Sequence, residues 1–350
     1  MTKDKNIFIK NIYYMLSYAF TALNFTEYSD IAAERFDNVH NLFAAILAKG
    51  VGQQLRQGLC RGYTGCEEDM PLLRGKINMP GTLKDRAAGK RLISCRYDVL
   101  SENVLFNRIL KTTVMLLIRH PGVEAAYKSV LKKEMMYFAE VDEISPDSVR
   151  WSEMHFRRGS QTYRMLIGIC RFVLEGMLLT TDKGEYRLAS FADEQRMCRL
   201  YEKFILEYYI REYPALNARA SQIPWSLDSG AGDLLPVMQS DVTLTYGNRT
   251  LIIDAKYYAH TTQSHYNMHT LHSSNLYQIF AYVKNKASLS GESFNDVSGM
   301  LLYAGTDESV QPNVSYMMSG NMISVRTLDL NRDFSEIAAQ LNAAADELMK

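Results

Sequence analysis

The sequence predicts two domains, an α+β domain over residues 1–190 followed by an α/β domain over residues 191–350. A chain of 350 residues is longer than one compact core usually accommodates. Before residue 190, apolar positions recur at helical spacing on either side of a β-rich, basic segment at about 58–98. After residue 190, helical and strand-like runs alternate, which is typical of a mixed α/β domain.

Helices and a strand-and-loop region are predicted in the first domain. Residues 11–23 carry apolar side chains three and four positions apart, and Asp37-Asn38 can cap a second helix. Residues 58–98 are punctuated by glycine and proline between short β-prone runs, which favours strands and loops. A further helix is expected to begin at Ser101 and to end before His120-Pro121-Gly122.

The second domain is predicted to begin with a long helix from near Asp193 to Pro214. A helix capped by Ser274 and a last helix after Asp333 follow it. The strand-like runs of this domain cover residues 236–246, 249–256, 299–305 and 321–327.

Composition excludes several classes of protein. Thirty-nine Lys and Arg balance 39 Asp and Glu, so the formal net charge is zero. No apolar run approaches the roughly 18 residues needed to cross a bilayer. Five cysteines without a C-x-x-C pair indicate neither a disulfide framework nor a zinc site. We therefore expect a cytoplasmic protein with reduced thiols. No P-loop motif occurs, so the chain itself is not expected to bind or hydrolyse a nucleotide through such a loop.

The most informative segment is a predicted β-hairpin. Two β-rich runs flank Gly247-Asn248, a pair suited to a two-residue turn, and opposed residues then have numbers that sum to 495. Asp241 faces Asp254 in this register, with Cβ atoms about 5 Å apart. Lys256 lies two residues beyond Asp254 and therefore on the same face.

Two opposed carboxylates destabilise a hairpin unless a positive charge neutralises them. Mg²⁺ is commonly held by one or two carboxylates, and it lowers the pKa of a bound water. Lys256 can orient that water, so the pattern predicts metal-assisted phosphodiester hydrolysis. A surface ion pair on an edge strand is the simpler alternative. It does not explain why Asp254 follows Leu251-Ile252-Ile253, a run apolar enough to be buried.

These residues resemble the motif of the PD-(D/E)XK nuclease superfamily, with Ser240 in place of its variable proline. The resemblance implies a restriction-endonuclease-like α/β domain over residues 191–350. It also implies roles for individual residues. Asp241, Asp254 and the carbonyl of Ala255 would bind Mg²⁺, with Glu202 as an additional ligand or water contact. Lys256 would activate water, and Gln278 would orient the site. Tyr282, four residues after Gln278 in the Q-x-x-x-Y element, is a candidate DNA contact; the alternative is that both residues only pack in the fold.

Four blocks together resemble the McrC family, the nuclease subunits of modification-dependent restriction systems. They are residues 11–19 (NIYYMLSYA), 234–238 (LLPVM), 254–258 (DAKYY) and 275–278 (NLYQ). The resemblance implies a partner, a McrB-like AAA+ GTPase hexamer that recognises methylated cytosine in double-stranded DNA. Residues 1–190 would dock in that ring and stimulate GTP hydrolysis, and residues 191–350 would cut both strands with Mg²⁺.

Two further groups of residues allow two interpretations each. Seven basic residues and one acidic residue lie between Arg74 and Arg96, a stretch called here the basic segment. It is either a solvated surface or a contact for DNA or an acidic pore, with Arg74 and Lys76 as candidates for that contact. Four histidines between His260 and His272 are expected to form a polar loop beside the site rather than a zinc site.

The neutral total hides two opposite charges. Residues 1–190 carry 27 basic and 21 acidic residues, whereas residues 191–350 carry 12 and 18. An acidic nuclease domain attracts DNA weakly, because non-specific affinity comes from phosphate neutralisation. The sequence thus predicts an enzyme to which a partner delivers DNA. A stand-alone repair nuclease and a non-catalytic activator of a GTPase ring remain the alternatives.

Overall fold

The computed structural model describes residues 3–4, 7–24, 28–156, 160–180, 186–188, 194–257, 262–265, 268–289, 296–305 and 311–350. The chain forms two compact units. The first, called here the sheet unit, comprises residues 1–42 and 189–350, and the second, the helix-rich unit, comprises residues 43–188. Among the described helices, none is long and apolar enough to span a membrane.

The first elements of the chain belong to the sheet unit. They are β1 (Lys3–Asp4), β2 (Ile7–Phe8), α1 (Ile9–Ala19), α2 (Ser29–Ala33) and the start of α3 (Val39–Gln57), which continues into the helix-rich unit. Asn11 in α1 is buried and its side-chain amide donates to the backbone carbonyls of Leu330 and Arg332, at 2.8 Å each. The hydroxyl of Tyr18 donates to Glu212 at 2.8 Å.

These contacts correct the predicted domain assignment for residues 1–42. The predicted boundary near residue 190 coincides with the division between residues 188 and 189, but the N-terminal helix packs with the C-terminal half of the chain. The physical reason is that α1 has an apolar face and a buried amide, Asn11, whose hydrogen-bond partners lie more than 300 residues away. The residues around Asn11 in the sequence give no indication that its partners are Leu330 and Arg332.

The helix-rich unit contains a small antiparallel sheet with strand order β3-β5-β4 and a set of packed helices. Its remaining elements are β3 (Gly62–Met70), β4 (Lys76–Ile77), α4 (Met79–Ala87), β5 (Ile93–Ser101), α5 (Leu105–Arg119), α6 (Ala125–Met135), α7 (Gln161–Met177), β6 (Leu178–Thr180) and β7 (Tyr186–Leu188). The prediction of only strands and loops in 58–98 was therefore incomplete. Pro80 lies in the first turn of α4, where its missing N–H costs nothing.

The α5 helix begins later than predicted, at Leu105 rather than Ser101. Residues up to Ser101 pair in β5, and the hydroxyl of Ser101 accepts the N–H of Asn103 in the connection. The other predicted capping site is correct. The Asn38 side chain accepts the N–H of Asn41 at 3.0 Å, at the start of α3.

The C-terminal part of the sheet unit is built on a five-stranded mixed sheet with strand order β10-β11-β14-β16-β15. Its elements are α8 (Glu194–Glu212), β8 (Gln222–Ile223), β9 (Met238–Gln239), β10 (Val242–Tyr246), β11 (Arg249–Lys256), β12 (Thr262–His265), β13 (Met268–Leu271), α9 (Ser273–Leu289), β14 (Val297–Ala304), β15 (Val314–Met318), β16 (Asn321–Leu328) and α10 (Phe334–Met349). The strands β11, β14 and β16 are parallel, and the outer strands β10 and β15 run antiparallel to their neighbours.

Helix α9 packs closely on the central strands. A Cβ atom on Gly299 in β14 would lie 2.8 Å from Ile279 and 2.7 Å from Val283, so only glycine permits this approach. The fully buried side chains of Ile252 and Leu301 belong to the same core cluster. This packing fixes where the N-terminal turns of α9 lie relative to the carboxyl end of β11.

One buried acid in the helix-rich unit, Glu134, makes the stability of the fold depend on pH. The Glu134 side chain on α6 is 9% exposed, and its Oε2 has no hydrogen-bond partner. Burial raises the pKa of Glu134 from its ordinary value of 4.5 to about 7. Because the folded protein holds this proton more tightly than the unfolded chain, stability is lost as the pH rises from about 4.5 through 7.

We therefore expect Glu134→Gln to raise the free energy of unfolding at pH 8 by about 2 kcal/mol and to change it little at pH 4.5. Thermal denaturation of the full chain at the two pH values measures this. Glu140→Gln, which alters an exposed acid of the same unit, should change neither value. An equal effect of Glu134→Gln at both pH values would contradict the assignment.

Candidate active site

The strands β10 and β11 form the predicted hairpin in the predicted register. Val242 pairs with Ile253 and Tyr246 with Arg249, so the numbers of paired residues sum to 495. Gly247 at the turn has a φ of 55°, in the left-handed region that glycine adopts without strain. The ladder ends at Val242, and Asp241 is the next residue, opposite Asp254.

Asp241 is held in place by the backbone of the neighbouring strand. Its Oδ2 accepts the N–H of Ala255 at 2.8 Å. A carboxylate in this position replaces the carbonyl that would otherwise continue the ladder, so β10 ends where the site begins. The side chain is thereby directed toward the end of β11 rather than into solvent.

Asp254 is in the interior of β11 and is 1% exposed. Its Oδ2 lies 2.8 Å from Nζ of Lys256, and the two groups form an ion pair. The alternative of an exposed pair on an edge strand is wrong, because β11 is an inner strand that lies between β10 and β14. The apolar run before Asp254 is buried as predicted.

Lys256 connects the hairpin to α9. Its Nζ donates to Oε1 of Gln278 at 3.2 Å, and Nε2 of Gln278 donates to the hydroxyl of Tyr282 at 2.8 Å. Gln278 and Tyr282 are four residues apart and share one face of the helix. The amide of Gln278 thus fixes the position of the ammonium group between a carboxylate and an amide oxygen.

The electrostatics of the two aspartates favour a bound cation. Burial, then the neighbouring Asp254 and Glu202, raise the pKa of Asp241 to about 7, against the opposing effects of the Ala255 N–H and Lys256. Burial also raises the pKa of Asp254, although Lys256 and a hydrogen bond with Asp241 act in the other direction. One ammonium group therefore does not compensate two buried carboxylates.

The donor set fits a hard divalent cation. Two convergent carboxylates, with waters to complete the shell, are a common protein contribution to a Mg²⁺ site. Within the described residues, no group of three or more His, Cys, Asp or Glu side chains is arranged to hold a metal. The site therefore offers two carboxylates, and the ligand role predicted for the Ala255 carbonyl stays a prediction.

Glu202 on α8 is close enough to Asp241 for its charge to raise the pKa of that carboxyl. Its Oε1 accepts the thiol proton of Cys198 at 3.0 Å. Burial and this carboxylate raise the pKa of Cys198 to about 12, so the thiol stays protonated and can donate. Glu202 belongs to the surroundings of the aspartate pair, and its predicted role as a metal or water contact stays a prediction.

Sequence reasoning missed two buried residues beside Lys256. Tyr303 of β14 is the register partner of Lys256, and its hydroxyl accepts a hydrogen bond from the Asn275 side chain at 3.0 Å. Both side chains are at least 96% buried. Asn275 precedes Gln278 by three residues on α9, so both residues lie on one helix face. This spacing is the sequence feature from which Asn275 could have been identified.

The predicted histidine loop is described only in part. His260 lies outside the described residues, while β12 and β13 form a hairpin in which His265 pairs with Met268 and His269 pairs with Ser264. His272 directly precedes α9. The expectation of a polar loop rather than a zinc site stays a prediction, because the side chains of His260, His265 and His269 lie outside what the structure describes.

The structure arranges part of the basic segment on the small sheet of the helix-rich unit. The guanidinium of Arg74 lies 4.1 Å from the centre of the Tyr97 ring. Gly75 has a φ of 70°, and a Cβ there would lie 2.5 Å from the carbonyl oxygen of Arg96. The adjacent Lys76 is exposed in β4. Glycine is therefore required between the two cations that were predicted to contact DNA or a partner.

Residues 72–83 also expose five large apolar side chains, which sequence analysis did not single out. Leu72 is 78% exposed and Leu73 56%, and Ile77, Met79 and Leu83 are exposed as well. Single exposed apolar residues are normal on a surface, whereas five within twelve residues of a basic stretch are consistent with an interaction surface. We refer to Leu72, Leu73, Ile77, Met79 and Leu83 as the apolar cluster.

Comparisons with known proteins identify the family of this chain. A family model described as McrBC 5-methylcytosine restriction system component matches residues 2–304. The Escherichia coli (strain K12) protein described as the Type IV methyl-directed restriction enzyme EcoKMcrBC is 28% identical over 346 residues, which cover 98% of each chain.

Among solved structures, a refined half-complex from the tetradecameric assembly of Thermococcus gammatolerans McrB AAA+ hexamers with bound McrC has a similar fold. The TM-score is 0.52 at 16% identity, over 97% of this chain and 76% of the matched chain. The family match covers most of the sequence, so this chain belongs to the McrBC family of 5-methylcytosine restriction system components.

Proposed function

We propose that this chain is the nuclease subunit of a restriction system and hydrolyses phosphodiester bonds in methylated DNA, with Mg²⁺ as cofactor. The observation that carries the proposal is the arrangement of Asp241, Asp254 and Lys256 at the end of one buried hairpin. The parallel core of the sheet, the helix before it and the Gln278–Tyr282 pair after it are all consistent with a PD-(D/E)XK nuclease domain.

Asp241 and Asp254 would hold the cation. When bound, Mg²⁺ polarises the phosphate and lowers the pKa of a coordinated water. Lys256 supplies the remaining positive charge: its Nζ, fixed by Asp254 and Gln278, can donate to the attacking water or to a non-bridging phosphate oxygen. Tyr282 orients the Gln278 amide, so the ammonium group keeps one position as charge develops on the phosphate.

The partner in this proposal is a McrB-like AAA+ GTPase hexamer. The solved relative pairs McrC with McrB hexamers, and the E. coli relative is described as methyl-directed. Charge gives an independent reason for a partner. Residues 1–42 and 189–350 together carry 16 basic and 23 acidic residues, so the sheet unit has a net charge of −7 and the helix-rich unit +7. A nuclease unit with this charge gains little non-specific affinity for DNA.

We further propose that the apolar cluster and Arg74 contact that GTPase. A DNA contact alone would not explain exposed leucines, because DNA-binding surfaces are polar and basic. Leucines beside cations instead fit a protein partner with an acidic rim around an apolar pocket. The exposed leucines therefore favour a contact with a protein partner, rather than a solvated surface, as the role of the basic segment.

Substitutions in the catalytic site should separate catalysis from docking. We expect Asp254→Asn to lower the rate of DNA cleavage by at least about 100-fold, because the site loses a metal ligand charge. Lys256→Gln should lower it by roughly 10²–10⁴-fold, as is usual when a group that acts on the attacking water is removed. Both variants should still bind the GTPase and stimulate GTP hydrolysis normally.

Cleavage of methylated plasmid and release of phosphate from GTP measure the two activities in the same complex. The matched control is Asp346→Asn, which removes an exposed carboxylate from α10 and should leave cleavage unchanged. Normal cleavage by Asp254→Asn would show that the assigned site is wrong. Cleavage by the isolated chain without GTP would favour a stand-alone repair nuclease, and no cleavage by the wild-type complex would favour a non-catalytic activator.

The second prediction concerns the docking surface. Replacing both Leu72 and Leu73 by Ser should reduce stimulated GTP hydrolysis by about tenfold or more, because buried apolar anchors contribute most to such interfaces. Arg74→Ala should reduce it less. Met136→Ser is the control, since Met136 is 76% exposed in the same unit and lies outside the apolar cluster. Unchanged stimulation by the leucine double variant would exclude this surface.

A further inference from the structure

A second concave site lies beside the catalytic hairpin. The cavity has a volume of about 250 Å³. Thr243 and Ile252, which pair with each other in the ladder, form part of its wall. Ile252 is two residues from Asp254 along β11, so its side chain lies on the same sheet face as that aspartate, about 7 Å along the strand.

The lining of this cavity carries positive charge and no carboxylate. The polar groups are two cations, an amide and two hydroxyls, contributed by Arg219, Lys286, Gln222, Ser221 and Thr243. Arg219 is exposed and forms no ion pair within the part of the chain that the structure describes. In a unit with a net charge of −7, such a surface is an exception, and it is suited to an anion.

Both cations are positioned by elements that also build the catalytic site. The backbone of Arg219 exchanges two hydrogen bonds with Thr243, at 2.8 and 3.1 Å. Lys286 follows Gln278 by eight residues and Tyr282 by four, so all three share one face of α9. The spacing between the cavity and Lys256 is therefore set by one helix and one hairpin.

The two serine hydroxyls beside the cavity differ in their contacts. Oγ of Ser221 is inaccessible to solvent and has no hydrogen-bond partner among the residues that the structure describes. The adjacent hydroxyl of Ser240 is fully used, because it bonds to the backbone of Ser221 and to Oγ1 of Thr243.

We propose that this cavity binds a backbone phosphate of the DNA strand, neighbouring the phosphate that is cut. The proposal rests on the proposed nuclease function. Arg219 and Lys286 neutralise the phosphate, and the Gln222 amide donates to its oxygens. A phosphate held there fixes the register of the strand, so that the next phosphate reaches Asp241, Asp254 and Lys256 in an acidic unit that attracts DNA poorly.

The test is the salt dependence of cleavage by the assembled complex of the chain with its GTPase partner. The value of kcat/KM for methylated DNA is measured between roughly 50 and 200 mM salt. Arg219→Ala and Lys286→Ala should each lower kcat/KM by roughly five- to tenfold at low salt, mainly through KM. Each should also reduce the slope of log kcat/KM against log salt by about one.

Arg249→Ala is the matched control. It removes the same charge from the same hairpin, but residue 249 is on the opposite face from Asp254, so both kcat/KM and the slope should stay at the wild-type values. Arg219→Lys should recover most of the loss, because it retains the charge. GTP hydrolysis should be normal in all variants, which confirms that each one folds and assembles.

Two results would overturn the proposal. One is a wild-type KM and salt slope for Arg219→Ala, and the other is an equal loss in Arg219→Ala and Arg249→Ala, which would indicate only a general charge effect. Both differ from failure of the nuclease function, since in that case the wild-type complex itself cuts no DNA.

Discussion

Two like charges buried side by side are the constraint on which this structure depends. The hairpin register puts Asp241 opposite Asp254, and the hydrogen bond from the Ala255 amide holds Asp241 there. The pKa of Asp241 rises to about 7 because burial and the neighbouring carboxylates disfavour its charge. In the absence of a cation, this arrangement costs folding free energy at neutral pH. The aspartate pair thus lowers the stability of the metal-free fold, and in the proposed function it provides the site at which a divalent cation and a phosphate bind.

The rest of the sheet unit can be understood as support for that pair. β11 lies between the antiparallel strand β10 and the parallel strand β14, Gly299 lets α9 approach, and α9 carries the amide that fixes Lys256. The N-terminal helix joins the same unit through Asn11, so the first residues of the chain stabilise the fold around the site. The helix-rich unit carries the opposite net charge and the exposed apolar cluster, which suits a docking role. In the proposed function, catalysis and partner binding therefore lie in separate compact units.

Local chemistry made the arrangement of the candidate site predictable from the sequence, whereas the long-range packing could not be predicted. The Gly247-Asn248 turn fixes the register, and the register alone brings Asp241, Asp254 and Lys256 to one face. The Gln278–Tyr282 pair followed from helical spacing. Residues 1–42 were assigned to the wrong unit because their partners, such as Leu330, are far away in sequence. The buried pair of Asn275 and Tyr303, the exposed leucines and the Arg219 cavity also depend on tertiary contacts, which have no local signature.

The most direct test of the central claim is the melting temperature of Asp241→Asn and of the wild-type chain at pH 8, without metal and with Mg²⁺. Asparagine retains an acceptor for the Ala255 N–H but removes one of the two buried charges. Without metal, the variant should therefore melt at a higher temperature than the wild type. Added Mg²⁺ should raise the melting temperature of the wild type and leave the variant unchanged, because only the wild type binds the cation in its folded state. A variant that is less stable without metal, together with equal Mg²⁺ shifts in both proteins, would contradict the account.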